Sequence, residues 1–563
     1  MTREWAFVNA VIRTVDDRDS VADAVLVRDG RIVAVGREAD VRAAAGTHCR
    51  VRDLGGRTVV PGFIDPHNHL SLTALDAVSL DCSGMLLPSI DELLHEIAGA
   101  TATMVPGQWA RGMNFTPFAV REGRAPTRGE LDEAAPNNPF FLLDVSCNRA
   151  WANSAALDIV GIDEFSPQPW GGQIERDHAG VPTGALLQAA MNPVQTASWR
   201  AIGAADWDAT VELLARKMAD YAVVGLTGLS DAAVTPDSAE MYARADRQGV
   251  LPFTVHQMHT ADDFFGKQDL RRIGFSERVR DRESNRLRGG TMKIFLDHGF
   301  PDGPIMNRVH EGCHSHTGSA YYGKQEVVEL AVAANQLGIR TAIHAMGNWA
   351  VDAVLDAYEA VRRTGGNDLL RLEHAYVAEP DQAPRMADLG VDLVAKPGIL
   401  FGTGPFFDQA WRGAGQAHLR VVPLRSMIDA GVRVSFGSDA PAGPYRPADI
   451  LWNAVSRMSM TGAVIDADEA VTPEQALRCA TINAAYASGR EHEVGSIEVG
   501  KRANLVVIDR DVVTCAVDEI RGMEVLETIV DGVAIFSVLD HLDTDTDTSG
   551  AADRVSTGME KQA

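Results

Sequence analysis

Eight short, apolar, β-branched runs alternate with helix-length stretches through the middle of the chain, and this alternation constrains the fold more than any other feature. They occupy residues 58–64, 224–229, 252–255, 291–296, 340–343, 369–372, 391–395 and 432–436. Strands separated by helical stretches predict a parallel α/β architecture. Eight such units predict a (β/α)8 TIM barrel, whose functional residues would stand at the carboxyl ends of the strands.

What lies outside the barrel pattern is also readable. Residues 1–60 look all-β, with a hairpin turning at Asp29-Gly30, and a matching β-rich signal returns after residue 490. A small composite β-sandwich of residues 1–60 plus 490–540 is therefore expected, leaving 61–74 plus 216–489 for the barrel. About 150 residues separate the first barrel strand from the second, more than one βα unit needs, so 75–215 should form an inserted lobe. That lobe contains a helical segment from Ile90, and Trp109, Trp151, Trp170, Trp199 and Trp207 fall inside it. Trp109 is a candidate wall of a substrate pocket, the competing account being a lobe core. The tail, 541–563, lacks any core-forming pattern and is expected to be disordered.

Composition narrows the function classes. With 77 acidic against 52 basic residues the net charge is −25, which argues against nucleic acid and anionic membrane as partners. Six cysteines stand far apart without C-x-x-C spacing, as expected of reduced thiols in a cytoplasmic protein. No secretory leader or membrane-length apolar run is seen. The sandwich edges offer strands that could pair between copies, so a homo-oligomer stays open.

The chemistry collects at predicted strand ends. The first strand runs into Pro61-Gly62-Phe63-Ile64-Asp65-Pro66-His67-Asn68-His69, and side chains two apart on an extended backbone point the same way. Two neutral imidazoles on one rigid strand end suit a metal ion; a turn that happens to carry two histidines is the competing account. A second test comes from the other strands. His344 follows the fifth, His374 the sixth and Asp439 the eighth, while the fourth carries Lys293. Nitrogen and oxygen ligands without thiolate suit zinc or another divalent metal. Another His-x-His, His314-Ser315-His316, follows no apolar strand; His316 is expected in a loop over the pocket, where it could orient substrate. His256 and His259 could line the mouth.

These segments resemble the amidohydrolase superfamily, and within it the amidohydrolase 3 branch. The similarity runs from Asn9 to Gly532 and includes Gly180-Val181-Pro182-Thr183-Gly184, Met292-Lys293-Ile294-Phe295, His344-Ala345-Met346-Gly347, Glu373-His374, Gly437-Ser438-Asp439-Ala440-Pro441 and Gly495-Ser496-Ile497-Glu498. The resemblance implies two ions per chain, one held by His67, His69 and Asp439, the other by His344 and His374, with a carboxylated Lys293 between them. A single-ion site with Lys293 as a hydrogen-bond donor fits the same residues. It also implies a metal-dependent hydrolase of small molecules, cutting a non-peptide carbon–nitrogen bond of an amide, formamide or cyclic amide, with Asp439 as the catalytic base. Within the branch, deformylation of an N-substituted formamide is the nearest activity. A divalent ion lowers the pKa of a bound water from about 15.7 toward about 7, which supplies hydroxide for such a reaction. A deaminase on the same scaffold is the alternative, and a catalytically inactive binding or assembly protein a minor one. Asn348, Asn148-Arg149 and Lys396 depart from the branch pattern. Lys396 at the barrel mouth could bind a substrate carboxylate or pair with a local acid.

Overall fold

The computed structural model describes residues 4–269, 284–298, 320–366, 370–405 and 419–539. Eight strands form one sheet in chain order: β1 (Phe63–Asn68), β2 (Leu226–Val234), β3 (Thr254–His259), β4 (Leu287–Phe295), β5 (Arg340–Ala345), β6 (Leu370–His374), β7 (Val391–Ala395) and β8 (Val434–Phe436). Every neighbouring pair is parallel. The two ends of the sheet come together just past the strands, where the Asp439 amide donates to the His67 carbonyl at 2.8 Å. The result is a nearly closed parallel barrel. β1, β2, β6, β7 and β8 are buried along their whole length, which explains why their sequences are rich in apolar residues and why the charged ones among them find buried partners. Helices cover the outside; Asn348–Arg363, for example, buries Val351, Val354, Leu355 and Tyr358 at helical spacing.

The first predicted strand is in fact two strands in two sheets. Thr58–Pro61 pairs outside the barrel, and β1 begins only at Phe63. Gly62 makes the break possible: a Cβ there would lie 2.2 Å from Thr227 Oγ1, so only glycine lets the chain pass this close to β2. β3 also begins and ends later than expected, at Thr254–His259. His256 and His259 are thus inside the strand rather than beyond it.

Both ends of the chain meet in one six-stranded sheet, ordered Val533–Ser537, Val525–Val530, Leu505–Ile508, Thr58–Pro61, Val11–Arg13, Val21–Ala22. Val507 lies opposite Val59 in its register. A four-stranded sheet contains Arg31–Gly36, Ala24–Arg28, Glu4–Val8 and Arg50–Asp53. One hydrophobic cluster joins the two, with Phe7, Val25 and Ile32 from one sheet and Ile12, Val59 and Leu505 from the other. The predicted hairpin turns at Asp29 and Gly30, both at positive φ, and Gly30 packs too closely on the Asp531 carbonyl to carry a side chain.

Between β1 and β2 lies a sheet that the sequence reading did not foresee. Its order is Gly172–Arg176, Pro182–Gln188, Arg149–Ala152, Phe140–Asp144, Ala110–Phe115, Leu80–Asp81. Helices Ile90–Thr101, capped by Ser89, and Arg128–Ala134, closed by a Thr127–Glu130 capping box, accompany it. Leu93, Ile97, Phe115, Phe140, Leu142 and Trp151 belong to its hydrophobic cluster.

Candidate metal centre

The carboxyl end of the barrel gathers the predicted donor residues. His67 lies in β1, and His69 follows as the residue leading into helix Leu70–Thr73. Their rings stand 5.4 Å apart between centroids. Asp439 reaches both: its Oδ1 is 3.1 Å from His67 Nε2 and 3.2 Å from His69 Nε2. One ligand atom from each of the three lies within 4.8 Å of the others. The β5 and β6 histidines stand opposite. His344 and His374 are 4.4 Å apart between ring centroids, and His374 Nδ1 is 3.7 Å from Asp439 Oδ2. His374 and Asp439 occupy positive φ, at 80° and 59°. Such backbone is costly for residues with a Cβ and is kept where side-chain direction matters.

A surrounding layer of acids and bases fixes these side chains. His67 Nδ1 lies 2.5 Å from Glu373 Oε2, the other Glu373 oxygen accepts from Arg371 Nε at 2.5 Å, and Lys396 Nζ approaches at 3.4 Å. Arg371 also donates to the carbonyls of Pro66 and Ala487. Asp65 ties β1 to the turn after β8, accepting from the backbone amide of Ser438 at 3.0 Å, its hydroxyl at 2.6 Å and Asn68 Nδ2 at 3.0 Å. Asp297, just past β4, accepts from the amides of Met346 and Gly347, each at 2.9 Å, and lies 3.5 Å from His344 Nε2. A carboxylate on the far nitrogen of an imidazole fixes its tautomer and orientation, as Glu373 does for His67.

Burial sets the protonation states. It pulls His67 down to about 4, helped by Lys293 and Lys396, and holds His344 and His374 well below the usual imidazole range. All three are neutral at pH 7, the state in which imidazole binds metal. Burial works against ionisation of Asp439 and Glu373, but their neighbours win: His67 and His374 keep Asp439 well below the usual carboxylate range, and Arg371, His67 and Lys396 do so for Glu373. Lys293 is fully buried and drops to about 7, burial outweighing Glu373 and Asp439.

The donor set fits a divalent cation. His344 Nε2, His374 Nδ1 and Lys293 Nζ are buried nitrogens without a hydrogen-bond partner among the described residues. Orphaned buried polar atoms are rare in folded proteins, and a ligand is one explanation of them. Here three converge beside an ionised carboxylate. Lys293 lies over the face of Phe295, its Nζ 4.7 Å from the ring centroid.

The remaining expected site residues take different places. Lys396 is 1 % exposed and turned inward, donating to the Val394 carbonyl at 3.0 Å and facing Glu373. Trp109 is buried in the main hydrophobic core. His316 lies outside the described residues. His256 is buried beside Thr291 Oγ1, at 2.9 Å. Asn348 donates its amide to Glu379 at 2.7 Å. Sequence reasoning gave no role to Arg371, Asp65 or Asp297, and quoted Glu373 only within a motif. A signal existed for one pair: Arg371 and Glu373 are two charges at i, i+2 within an apolar strand, which places them on one face.

A model of the amidohydrolase family matches residues 50–536. The chain is 56% identical to N-substituted formamide deformylase from Arthrobacter pascens over 532 residues, 94% of this chain and 98% of that protein. An uncharacterized metal-dependent hydrolase from Pyrococcus furiosus superposes with a TM-score of 0.70 at 22% identity, covering 91% of this chain and all of the other. Atrazine chlorohydrolase from Arthrobacter aurescens TC1, in complex with zinc, superposes at 0.53 and 15% identity over 96% of this chain and 99% of its own. The chain therefore belongs to the amidohydrolase family, and is a metal-dependent hydrolase of carbon–nitrogen bonds other than peptide bonds.

Proposed function

We propose that the protein deformylates an N-substituted formamide, releasing formate and an amine, at a centre of two zinc ions. The observation that carries the two-ion reading is Lys293, fully buried, without a hydrogen-bond partner among the described residues and pulled to about 7. A lysine in that state has the neutral amine that carboxylation by carbon dioxide requires. His67, His69 and Asp439 would hold one ion, His344 and His374 the other, with carboxylated Lys293 between. Ions held there would supply a low-pKa water and Lewis acidity toward the carbonyl. Asp439, ionised and beside three histidines, takes the proton of the attacking water and returns it to the leaving nitrogen. Glu373 holds His67 in one tautomer throughout. The nitrogen and oxygen donor set supports zinc, as does the zinc in complex with the atrazine chlorohydrolase. The 56% identity over nearly the whole chain supports the formamide.

The same reading extends to organisation. The shared hydrophobic cluster of the two terminal sheets supports a composite sandwich of 1–60 and 490–540, and the separate sheet within 75–215 supports an inserted lobe. That Cys49, Cys82, Cys147, Cys479 and Cys515 form no disulfide among the described residues supports a cytoplasmic location. No helix among the described residues is long and apolar enough to cross a membrane. The test is elemental analysis of wild type and Lys293→Ala, with formate and ammonia measured from N-alkylformamides. Two zinc ions in wild type, fewer in the variant, and formate without ammonia are expected. Ammonia release from an aromatic amine instead would establish a deaminase, and a metal-free, inactive protein would overturn the enzymatic reading.

A further inference from the structure

Lys293 and Phe295 stand two apart on β4, so their side chains leave the same face of the strand, the one that points into the barrel. The alternate residues Met292, Ile294 and Leu296 belong to the main hydrophobic core. Phe295 is the nearer of the pair to the carboxyl end, which puts its ring one layer above the lysine, on the mouth side of the candidate centre. There it covers Lys293 Nζ at 4.7 Å and stands 5.6 Å from the ring of His344. A second phenylalanine carries this cover across to β1. Phe264, past the end of β3, lies 5.7 Å from Phe295 and 5.4 Å from His69 between ring centroids. The two rings therefore reach one candidate ligand in each half of the centre.

The cover is held firmly. Phe265 packs on both rings, at 4.8 and 4.9 Å between centroids. Its backbone is clamped by Asn192, at the start of helix Asn192–Trp199, which donates Nδ2 to the Phe265 carbonyl and accepts from the Phe265 amide, each at 3.3 Å. The turn around Phe264 is tight, since a Cβ on Gly266 would lie 2.6 Å from that of Ala261. Phe265 is 3 % exposed, yet Phe264 and Phe295 are only half-buried. Rings locked by packing that still keep an open surface beside the donor set can act as a wall.

Asp439 decides which part of a substrate meets that wall. β4 is fourth and β8 eighth in the sheet, so Phe295 and Asp439 stand on opposite sides of the barrel. In the reaction proposed above Asp439 returns the proton to the leaving nitrogen, so that nitrogen lies on the β8 side, and the other substituent of the acyl carbon points toward β4. In a formamide this substituent is a hydrogen; in an acetamide it is a methyl group.

We propose that Phe264 and Phe295 are specificity residues that confine the acyl group to formyl, rejecting longer acyl chains by contact with their rings. The inference rests on the formamide reading and on Asp439 as its proton carrier, and it concerns the acyl side of the scissile bond alone.

The test uses two amides of one amine, N-butylformamide and N-butylacetamide, on the zinc-loaded full-length protein, with butylamine release giving kcat/KM. A formyl carbon is intrinsically the more reactive, so the quantity read is the change in the acetamide-to-formamide ratio from wild type to variant, in which intrinsic reactivity and folded fraction both cancel. Phe295→Ala and Phe264→Ala should each raise this ratio at least about tenfold, the worth of one methyl group in a close-fitting site. Phe295→Leu, milder toward packing, should move it in the same direction. Calorimetric titration with formate and acetate repeats the comparison without turnover, and the preference for formate should shrink in Phe295→Ala. A ratio unmoved in all three variants would overturn the proposal and leave the rings as packing, with formamide hydrolysis standing. Inactivity of wild type on N-butylformamide, with zinc bound, would instead count against the formamide reading beneath it.

Discussion

The two halves of the centre are built differently. On the β1 and β8 side, His67, His69 and Asp439 are already in mutual contact, at 3.1 and 3.2 Å, and Asp65 with Ser438 locks the two strand ends together beneath them. On the β4 to β6 side, His344 Nε2, His374 Nδ1 and Lys293 Nζ face the same space without a hydrogen-bond partner among the described residues, as do His67 Nε2 and His69 Nδ1 on the first side, but no network like that of Asp65 and Ser438 lies beneath them. The first half is locked by the Asp65–Ser438 and Glu373–His67 hydrogen bonds; the second has Asp297 behind His344 and, at Lys293, the face of Phe295. The difference teaches where each half should fail. Loss of a group in the first should cost chemistry and fold together, whereas loss in the second should cost metal with little change of fold.

The largest effect is expected at the group shared by both halves. Asp439→Asn keeps the shape of the side chain but removes its charge, the carboxylate that His67, His69 and His374 all face. Turnover should fall by about 10³-fold or more, within the range for loss of a general base that also orders ligands. A loss under tenfold, read in steady-state kinetics, would remove Asp439 from the mechanism.

Acid should separate the halves from the rest of the protein. In the metal-free chain, His67 titrates near 6.5 when unfolded and at about 4 when folded. Between those values the unfolded state binds the proton and the folded state does not, so stability falls as pH falls. The contribution is fully present above pH 6.5 and is lost through about pH 4. Asp439 and Glu373, held low in the folded state, extend the loss further into acid. Thermal melts of the metal-free protein from pH 7 to pH 4 check this; a flat or rising Tm would mean that the buried histidines are not neutral.

Lys293→Ala addresses the open half alone. Metal content should drop by one ion and kcat/KM by roughly hundredfold, at the upper end of what changes around a metal ligand cost. The Tm of the metal-free variant should be close to wild type, because the lysine makes no hydrogen bond with the described residues and is itself desolvated at a cost. A variant that binds both ions would place Lys293 outside the ligand set.

Much of this was legible in the chain, for a physical reason. Residues buried on both faces of a barrel are mostly apolar, so a His, Asp or Lys within or just after such a run stands out, as His344, His374, Lys293 and Asp439 do. Boundaries were less legible, because Thr58–Pro61 and β1 share one apolar composition and only the close approach of Gly62 to Thr227 separates them. The sheet between β1 and β2 escaped because it mixes parallel and antiparallel pairs out of chain order and includes a strand of two residues. Asp65 and Asp297 escaped for another reason. Their partners, Ser438 and the amides after His344, are hundreds or tens of residues away, and no local pattern announces them.

The smallest effect tests the lock beneath the pre-organised half. Ser438→Ala removes the hydroxyl that donates to Asp65 at 2.6 Å but keeps the backbone amide that donates to the same carboxylate at 3.0 Å. Asp65 then loses one of its hydrogen bonds yet stays partnered by Asn68 and by the His67 and Ser438 amides. The loss should be about 1 to 2 kcal/mol, less than for a buried charge left alone. Because the turn also positions Asp439, the next residue, zinc affinity at the first site should weaken while the second ion is retained. Denaturant unfolding gives the first number and competition with a chelator the second. If stability falls and both ions bind as tightly as before, the Asp65–Ser438 link serves barrel closure alone, and the pre-organisation of His67, His69 and Asp439 rests on Glu373 and Arg371 instead.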